Sequence, residues 1–507
     1  MYSYKPGCTF QTLQDIKGKN IVVMGLGLNG GGEACVRFFL KHGANVLATD
    51  MKTAEQLAPT IKKLSDDPEI DTSRLSYRLG EHRIEDFQNA DCVIKNPGVK
   101  IEGNKYLAAA KNIETDISIF LHFTKSPIIA VTGSKGKSST VSAINYGLNK
   151  AGFTAYLGGN ITVSPLTFLE KTTEKTPVVL ELSSWQLADL RGRKALKPKI
   201  CIITKIVPDH QNWYHAMEPY VADKRLIYAD QTSSDYSIFD FEGDEPGTGP
   251  ECGGSWGDFF AKETKGTVLR YANSELPKVF FGVYQTKDED GTFCGRVILP
   301  GMKQPETILK NLIVPGEHMK INALNAALVL YLMGVSSTQC VKIMGEWPGI
   351  DHRLQFFHEY KNNSGGSFRF YNDSCATVPE AAAAASQSFG KPVYLLTGGT
   401  DKGLELTPLA DTLTGKNKNE LPVKSLYLLK GSATDKLLPA LNSAKVKYNG
   451  PFNSLQEMLN TLKSEIENST QKEQVVVFSP GATSFGMFAN EFDRGNKFMQ
   501  SVKELFK

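Results

Sequence analysis

"VTGSKGKSST" (131–140) is the stretch on which the reading of this chain turns. The apolar run "PIIA" precedes it and "VSAINYGLNKAG" follows, so a buried strand opens through a glycine loop into a helix. Gly133 and Gly136 have two residues between them, whereas the common phosphate loop places four between its glycines. The physical parts of such a loop are nevertheless present. Backbone N–H groups across Gly133, Ser134, Lys135, Gly136 and Ser139 can curl around phosphate, Lys137 can reach the terminal phosphates, and the Ser138 hydroxyl can ligate Mg²⁺. We read the loop as an ATP site.

The same alternation of strand and helix occurs on both sides. "NIVVMG" (20–25), "NVLATD" (45–50) and "DCVIKNPG" (91–98) read as strands, with "GEACVRFFLKHG" (32–43) a helix between the first two. After the loop come "PVVLELS" (177–183) and "KICIITKI" (199–206), then a confined helix pattern in "NALNAALVLYLMGV" (322–335). A third set starts past "WPGIDHR" (347–353): strands "PVYLLTGG" (392–399), "SLYLLKG" (425–431) and "QVVVFSPG" (474–481), with "EAAAAAS" (380–386) helical. Residues 245–275, rich in glycine and polar side chains, read as a surface excursion. Buried strands alternating with helices imply parallel, doubly wound sheets, so the class is α/β.

A chain of 507 residues is expected to divide into about three domains. Hydrophobic residues at 41% and charged residues at 22% are ordinary for a globular protein. A net charge of +3 gives no electrostatic reason to expect nucleic acid or an anionic membrane as partner. Eight scattered cysteines without a C-x-x-C pair fit a reducing compartment. The opening "MYSYKPGCTF" lacks the basic-then-apolar pattern of a signal peptide, and no apolar run approaches the ~18 residues of a membrane span. The expectation is a cytoplasmic enzyme.

"GLGLNG" (25–30) adds a second glycine turn, of G-x-G-x-x-G form, with Asp50 at the end of the next strand. Glycines there let backbone approach a pyrophosphate, and the acid suits a ribose hydroxyl. By itself the turn fits a dinucleotide, any other nucleoside diphosphate, or a tight connection that needs glycine only for packing.

Taken together the motifs resemble the Mur ligases, ATP-dependent enzymes that add amino acids to the UDP-linked precursor of the bacterial cell wall. The resemblance rests on "NPG" (96–98), "GGNI" (158–161), "LELSSWQL" (180–187), "PDHQNWY" (208–214), "ADKRLIY" (222–228), "GEHMKINALNAA" (316–327), "DHR" (351–353), "NDSCAT" (372–377), "GGTDKG" (398–403) and "SPGATSF" (479–485), in the family's order. Several of these segments are similar to the branch that adds D-glutamate. The resemblance implies three domains: a Rossmann-like UDP-substrate domain at 1–123, a central P-loop ATPase-type domain at 124–347, and a C-terminal Rossmann-like domain for the amino acid at 348–507. It also implies that the first turn holds the uridine nucleotide of the acceptor rather than a redox cofactor. Folylpolyglutamate synthetases share the ATP loop but are not expected to open with a nucleotide-binding unit of this kind.

The implied substrates are ATP, UDP-N-acetylmuramoyl-L-alanine and D-glutamate, with Mg²⁺ as cofactor and a monomer as the working form. Lys137, Glu181, His210 and Lys224 would be catalytic. Ser138, Glu181, His210 and Lys224, the last as a carbamate, would serve the metal. A carbamylated lysine is an oxygen-donating anion, which suits Mg²⁺ where an ammonium would be repelled. Asn322, Arg353 and Asp373 would join the loop around ATP, Arg353 clamping phosphate with its paired donors. Gly27, Asp50, Asn96, Asn160 and Ser183 fall where the family holds the UDP-sugar, and Thr377, Lys402, Ser484 and Phe485 where it holds the amino acid. Ser484 is placed at a strand end that opens a helix, whose amides suit a carboxylate.

Three departures stand out. Cys375 occupies a position that is lysine in the family pattern, Val378 one that is asparagine, and Met319 one where asparagine is common. The first two bear on the amino acid, so a sister ligase using a different one remains an alternative. An oxidoreductase built on the first turn, or a non-catalytic UDP-sugar binder, would leave the ATP loop without a role.

Overall fold

The computed structural model describes residues 2–161, 163–416 and 422–507. The chain forms two compact units, Met1–Lys310 with Ile321–Met344, and Asn311–Lys320 with Gly345–Lys507. The first unit contains two sheets. In the smaller, five parallel strands run in the spatial order Leu75–Leu79, Asn45–Asp50, Asn20–Met24, Cys92–Lys95, Ile113–Glu114. The order reverses between Asn20–Met24 and Cys92–Lys95. Gly25 and Asn96 therefore follow adjacent strands at the switch point, where doubly wound sheets leave a crevice for a ligand. The helix Gly31–Lys41 forms because Ala34, Cys35, Phe38 and Phe39 present one apolar side, and Lys41 occupies its last turn.

The larger sheet has nine strands, with Ile128–Thr132 between Val178–Glu181 and Ile200–Ile203. All three are buried along their length, which accounts for their continuous apolar sequences: helices cover both faces of a parallel sheet. Beyond them the parallel run continues through Tyr236–Asp240, Thr267–Ala272 and Gly282–Lys287 and ends in two antiparallel strands, Phe293–Ile298 and Glu306–Lys310. The expected surface excursion is thus only partly one. Thr267–Ala272 is a central-sheet strand, and Trp256–Glu263 is a helix that Ser255 caps by accepting from the Asp258 amide at 3.1 Å. Arg270, 1% exposed, donates to the Gly257 carbonyl at 2.8 Å. A buried charge within the strand and glycines around it masked the alternation that marks a strand.

The second unit has one sheet of six strands, in the order Gln355–Lys361, Ser367–Asn372, Glu473–Phe478, Val393–Gly398, Val423–Leu429, Asn449–Phe452. Only the first is antiparallel to its neighbour. The loops that leave Asn372, Gly398 and Phe478 consequently emerge at one edge of the sheet. Among the described residues no helix is long and apolar enough to cross a membrane.

Two ion pairs join the smaller sheet of the first unit to residues 189–193, which lie between two strands of the larger. Arg193 donates to Glu114 Oε2 at 2.8 Å, with side chains 3% and 2% exposed, and Lys95 lies 2.8 Å from Asp189, at 2% and 7%. Removing one member of such a pair strands a charge away from water. Arg193→Leu is expected to lower the unfolding free energy by roughly 3–5 kcal/mol in urea titration, far more than an exposed pair contributes. A loss below about 1 kcal/mol would mean that the pair is solvated.

Candidate active site

The loop after Thr132 is wound by its own backbone geometry. Gly133 has φ +141°, and a Cβ there would collide with Thr204 Oγ1. Gly136, at φ +93°, caps the helix Lys137–Lys150. A Cβ on Gly136 would stand 2.6 Å from Asn322 Oδ1, and Thr140 Oγ1 donates to that oxygen at 3.4 Å, which brings Asn322 against the loop. Ser134 is buried and locked: its hydroxyl donates to the Val207 carbonyl at 2.8 Å, accepts from the Val207 amide at 3.0 Å, and lies 2.9 Å from the Tyr220 hydroxyl. Lys135 and Ser138 are exposed, and Ser139 is half-buried beside them.

Two lysines converge on one carbonyl oxygen. Lys137 Nζ donates to Gly133 O at 2.9 Å and to Ser134 O at 3.1 Å, and Lys224 Nζ donates to the same Gly133 oxygen at 2.9 Å. Lys224 is 2% exposed, and its ammonium lies 4.5 Å from the centre of the Tyr220 ring. Burial, reinforced by Lys137, drives its proton affinity well below the usual lysine range, against the pull of Asp209, Asp223 and Glu181. Burial also lowers Lys137, with Glu181 and Asp209 opposing.

Glu181 ends its strand at 2% exposure. Asn160 donates to Glu181 Oε1 at 3.0 Å, while Oε2 is buried without a partner among the described residues. An unpaired buried carboxylate oxygen is costly and needs a positive or donating group. That observation fits a hard cation. Among the described residues no cluster of three or more His, Cys, Asp or Glu side chains could hold a metal alone. A site completed by phosphate oxygens and water is the arrangement Mg²⁺ favours.

The strand read over 199–206 ends earlier than expected, and His210 lies well beyond it. The strand stops at Ile203, and His210 stands in the left-handed region, φ 51°, before a short helix Gln211–Tyr214. Its ring lies 4.9 Å from Trp185, tilted at 46°, its Nε2 is 4.0 Å from Asp209, and its side chain is 44% exposed. Ser183 caps the helix Ser184–Ala188, accepting from the Gln186 amide at 3.2 Å.

At the smaller sheet, Asp50 already has work to do. Its carboxylate accepts from the Gly27 amide at 2.9 Å and from the Lys52 amide at 2.9 Å, bracing the glycine turn. Asn96 Oδ1 accepts from the Gly98 amide at 3.1 Å, shaping the Asn96–Gly98 turn.

In the second unit, Asp373 follows its strand and is buried. It accepts from the Leu354 amide at 3.1 Å and the Ser479 hydroxyl at 2.6 Å. Burial raises its carboxyl to about 7, against those donors and Arg353. Arg353 is exposed, between His352 and Leu354, both at positive φ. Thr377 is half-buried and Lys402 exposed. Ser484 is buried, but no helix begins there: the next is Glu491–Leu505, so the expected helix-end amides are absent from Ser484. Phe485 is 66% exposed, its carbonyl accepting from Thr400 at 2.6 Å. Cys375 is half-buried, its amide donating to His352 O at 3.0 Å. Sequence reasoning missed Arg494, which is 1% exposed. It donates to Ser374 O at 2.8 Å and Ala482 O at 3.0 Å, tying the two loops that carry Thr377 and Ser484. Its sequence signal is its spacing, four residues before Phe498 and eight before Val502, on the buried side of the helix.

The Mur ligase middle domain model matches residues 131–330, and the MurD-like N-terminal domain model matches 19–118. The chain belongs to the Mur ligase family. Among its relatives are proteins named UDP-N-acetylmuramoylalanine--D-glutamate ligase, from Treponema pallidum at 38% identity and from Borreliella afzelii at 36%, each alignment covering 97% of this chain and 99% of the relative. In fold it is similar to MurF from Acinetobacter baumannii, with TM-score 0.56 and 15% identity over 99% of this chain and all of that one. MurC from Thermotoga maritima gives 0.53 and 16%, over 96% and 99%.

A carboxyl that titrates near 7 when folded and near 3.8 when unfolded holds a proton between those values that the unfolded chain has released. Stability therefore falls as pH rises through that window. Asp373→Asn is expected to flatten the decline in melting temperature between about pH 4 and pH 7. An unchanged slope would assign the decline to other groups.

Proposed function

We propose that this chain joins D-glutamate to UDP-N-acetylmuramoyl-L-alanine at the expense of ATP, in peptidoglycan precursor synthesis, working as a monomer in the cytoplasm. The observation that carries the chemistry is Glu181 Oε2, without a partner among the described residues, near a phosphate loop whose Gly133 carbonyl accepts from half-buried Lys137 and buried Lys224. The choice of acceptor and amino acid is supported by the names of relatives aligned over nearly their whole length. The domain limits 1–123, 124–347 and 348–507 belong to the same reading, with the UDP-sugar at the first, ATP at the second and the amino acid at the third.

The acceptor's terminal carboxylate attacks the γ-phosphorus of ATP, giving an acyl phosphate and ADP. The D-glutamate amine then attacks the acyl carbon, an amide forms, phosphate leaves and the amine loses a proton. Both steps bring anions together, so alignment and charge neutralisation dominate. Lys137 would exchange its loop carbonyls for phosphate oxygens, and the loop amides and Arg353 would hold the rest of the nucleotide. Ser138, Glu181, His210 and Lys224 would hold Mg²⁺, which supplies charge neutralisation between the phosphates. Lys224 is suited to carbamylation because a buried amine without its proton can attack CO₂, forming an N–C bond and releasing a proton. Asn160 orients Glu181, and Ser183 stands next to it on the acceptor side. Lys402 would pair with an amino-acid carboxylate. Cys375 withdraws a cation from that pocket, which motivates the second reading, a sister ligase with a different amino acid.

Phosphate release from ATP, with Mg²⁺, the acceptor and a panel of amino acids, tests this directly. Release requiring both the acceptor and D-glutamate is expected. Activity only with another amino acid would move the specificity, and silence with all of them would overturn the reading. Stripping bicarbonate and CO₂ from the buffer is expected to depress activity reversibly. Lys224→Arg should lose about 10²–10³-fold in kcat and not respond to bicarbonate. Indifference of the wild type to CO₂ would remove the carbamate.

A further inference from the structure

Residues 2–9 precede the first strand and are absorbed neither by the glycine turn nor by the phosphate loop. They nevertheless make close and varied contacts across the first unit. The Tyr4 amide donates to Arg191 O at 2.9 Å and the Gly7 amide to Arg193 O at 3.1 Å, so this arm runs alongside the segment after the helix Ser184–Ala188. Gly192, at φ +82°, lies so close beneath it that a Cβ would collide with Ser3 Oγ and Tyr4 O. The Arg193 guanidinium stands over the Tyr4 ring at 3.8 Å, and Thr9 donates to Glu114 from its amide at 2.8 Å and its hydroxyl at 2.9 Å. Glu114 is the carboxylate that Arg193 also holds. The arm thus touches both members of one buried pair.

Its tip reaches the other pair as well. The Tyr4 hydroxyl donates to Asp189 at 3.4 Å, Asp189 holds Lys95, and Lys95 Nζ donates to Asn96 O at 3.1 Å and Val99 O at 2.8 Å. A continuous polar chain therefore leads from Tyr4 to the carbonyls that flank the Asn96–Gly98 turn. Beside it lies a cavity of about 250 Å³ with Tyr2, Tyr4, Pro97 and Trp185 among its walls. Tyr2 is fixed by its amide to Glu102 at 3.0 Å and by an edge-to-face contact with Tyr4 at 4.7 Å.

We propose that residues 2–9 are a positioning strap for the acceptor-binding turn, and that Tyr4 is a positioning residue acting on Asn96 through Asp189 and Lys95. This rests on the reading that the Asn96–Gly98 turn meets the UDP-linked acceptor. The strap sets where the turn stands relative to the helix Ser184–Ala188, so its loss weakens acceptor binding and leaves the nucleotide loop intact.

The test compares the wild type with Tyr4→Ala and Tyr4→Phe in steady-state kinetics, with amide hydrogen exchange of Gly98 and Val99 as a ligand-free readout. Tyr4→Ala is expected to raise the KM for UDP-N-acetylmuramoyl-L-alanine about fivefold, while kcat and the KM for ATP stay within about twofold. Tyr4→Phe keeps the ring over Arg193 but removes the hydroxyl bond to Asp189, so it should keep much of the loss; full recovery by Phe would overturn the role of Asp189 and Lys95. Exchange at Gly98 and Val99 should quicken in Tyr4→Ala. If Tyr4→Ala does not fold, Thr9→Val, which cuts the hydroxyl bond to Glu114, takes its place. Parallel changes in both KM values, or unchanged exchange at the turn, would overturn the strap. If the wild type fails to bind the acceptor in calorimetry, the acceptor reading falls, and the exchange data alone decide the strap.

Discussion

The Gly133 carbonyl oxygen accepts from two lysines, and much of the first unit is arranged so that it can. The oxygen points inward only because residue 133 has a backbone conformation and a close approach to Thr204 that exclude a side chain. One lysine begins the helix after the loop, and the other ends the helix Met217–Lys224. A single acceptor therefore ties strand, loop and two helices. Bringing two cations to one buried point raises the cost of both charges, and the structure answers by lowering their affinity for protons. Ser134, wedged between Val207 and Tyr220, keeps the loop from relaxing that crowding.

A second constraint is the buried charge between the two sheets of the same unit. Arg193–Glu114 and Lys95–Asp189 are poor sources of net stability, since desolvation offsets most of their attraction. Their value is geometric. Each fixes a strand of the smaller sheet to the segment just after the helix Ser184–Ala188, whereas apolar contacts alone would tolerate sliding. The glycine turn, the Asn96–Gly98 turn and the Glu181 strand end are thereby kept in fixed relation within one unit.

Much of the fold was legible because buried parallel strands are written as continuous apolar runs, and "PIIAVTG", "PVVLELS" and "QVVVFSPG" leave little else for those residues to be. The strand Thr267–Ala272 was not legible, because Arg270 interrupts its apolar pattern and finds its partners, Gly257 and Asp258, only after folding. The end of the strand before His210 was misplaced for a related reason: nothing local marks where Ile200–Ile203 stops pairing. Ser484 likewise reads as a helix start, yet the helix waits for the Asn490 cap, whose side chain accepts from the Asp493 amide at 2.8 Å.

The sequence by itself determined the class of fold and the glycine loop with its lysine, because these depend on local spacing: glycines where a turn needs them and a lysine one position past the loop. Only the tertiary structure decided what those residues experience. That Asn160 holds only one Glu181 oxygen, that Lys224 shares an acceptor with Lys137, that Asp50 braces Gly27, and that Tyr4 reaches Asp189 are all contacts between residues distant in the chain. Burial and electrostatics at such points are sums over neighbours that only the folded backbone supplies, and no local pattern encodes them.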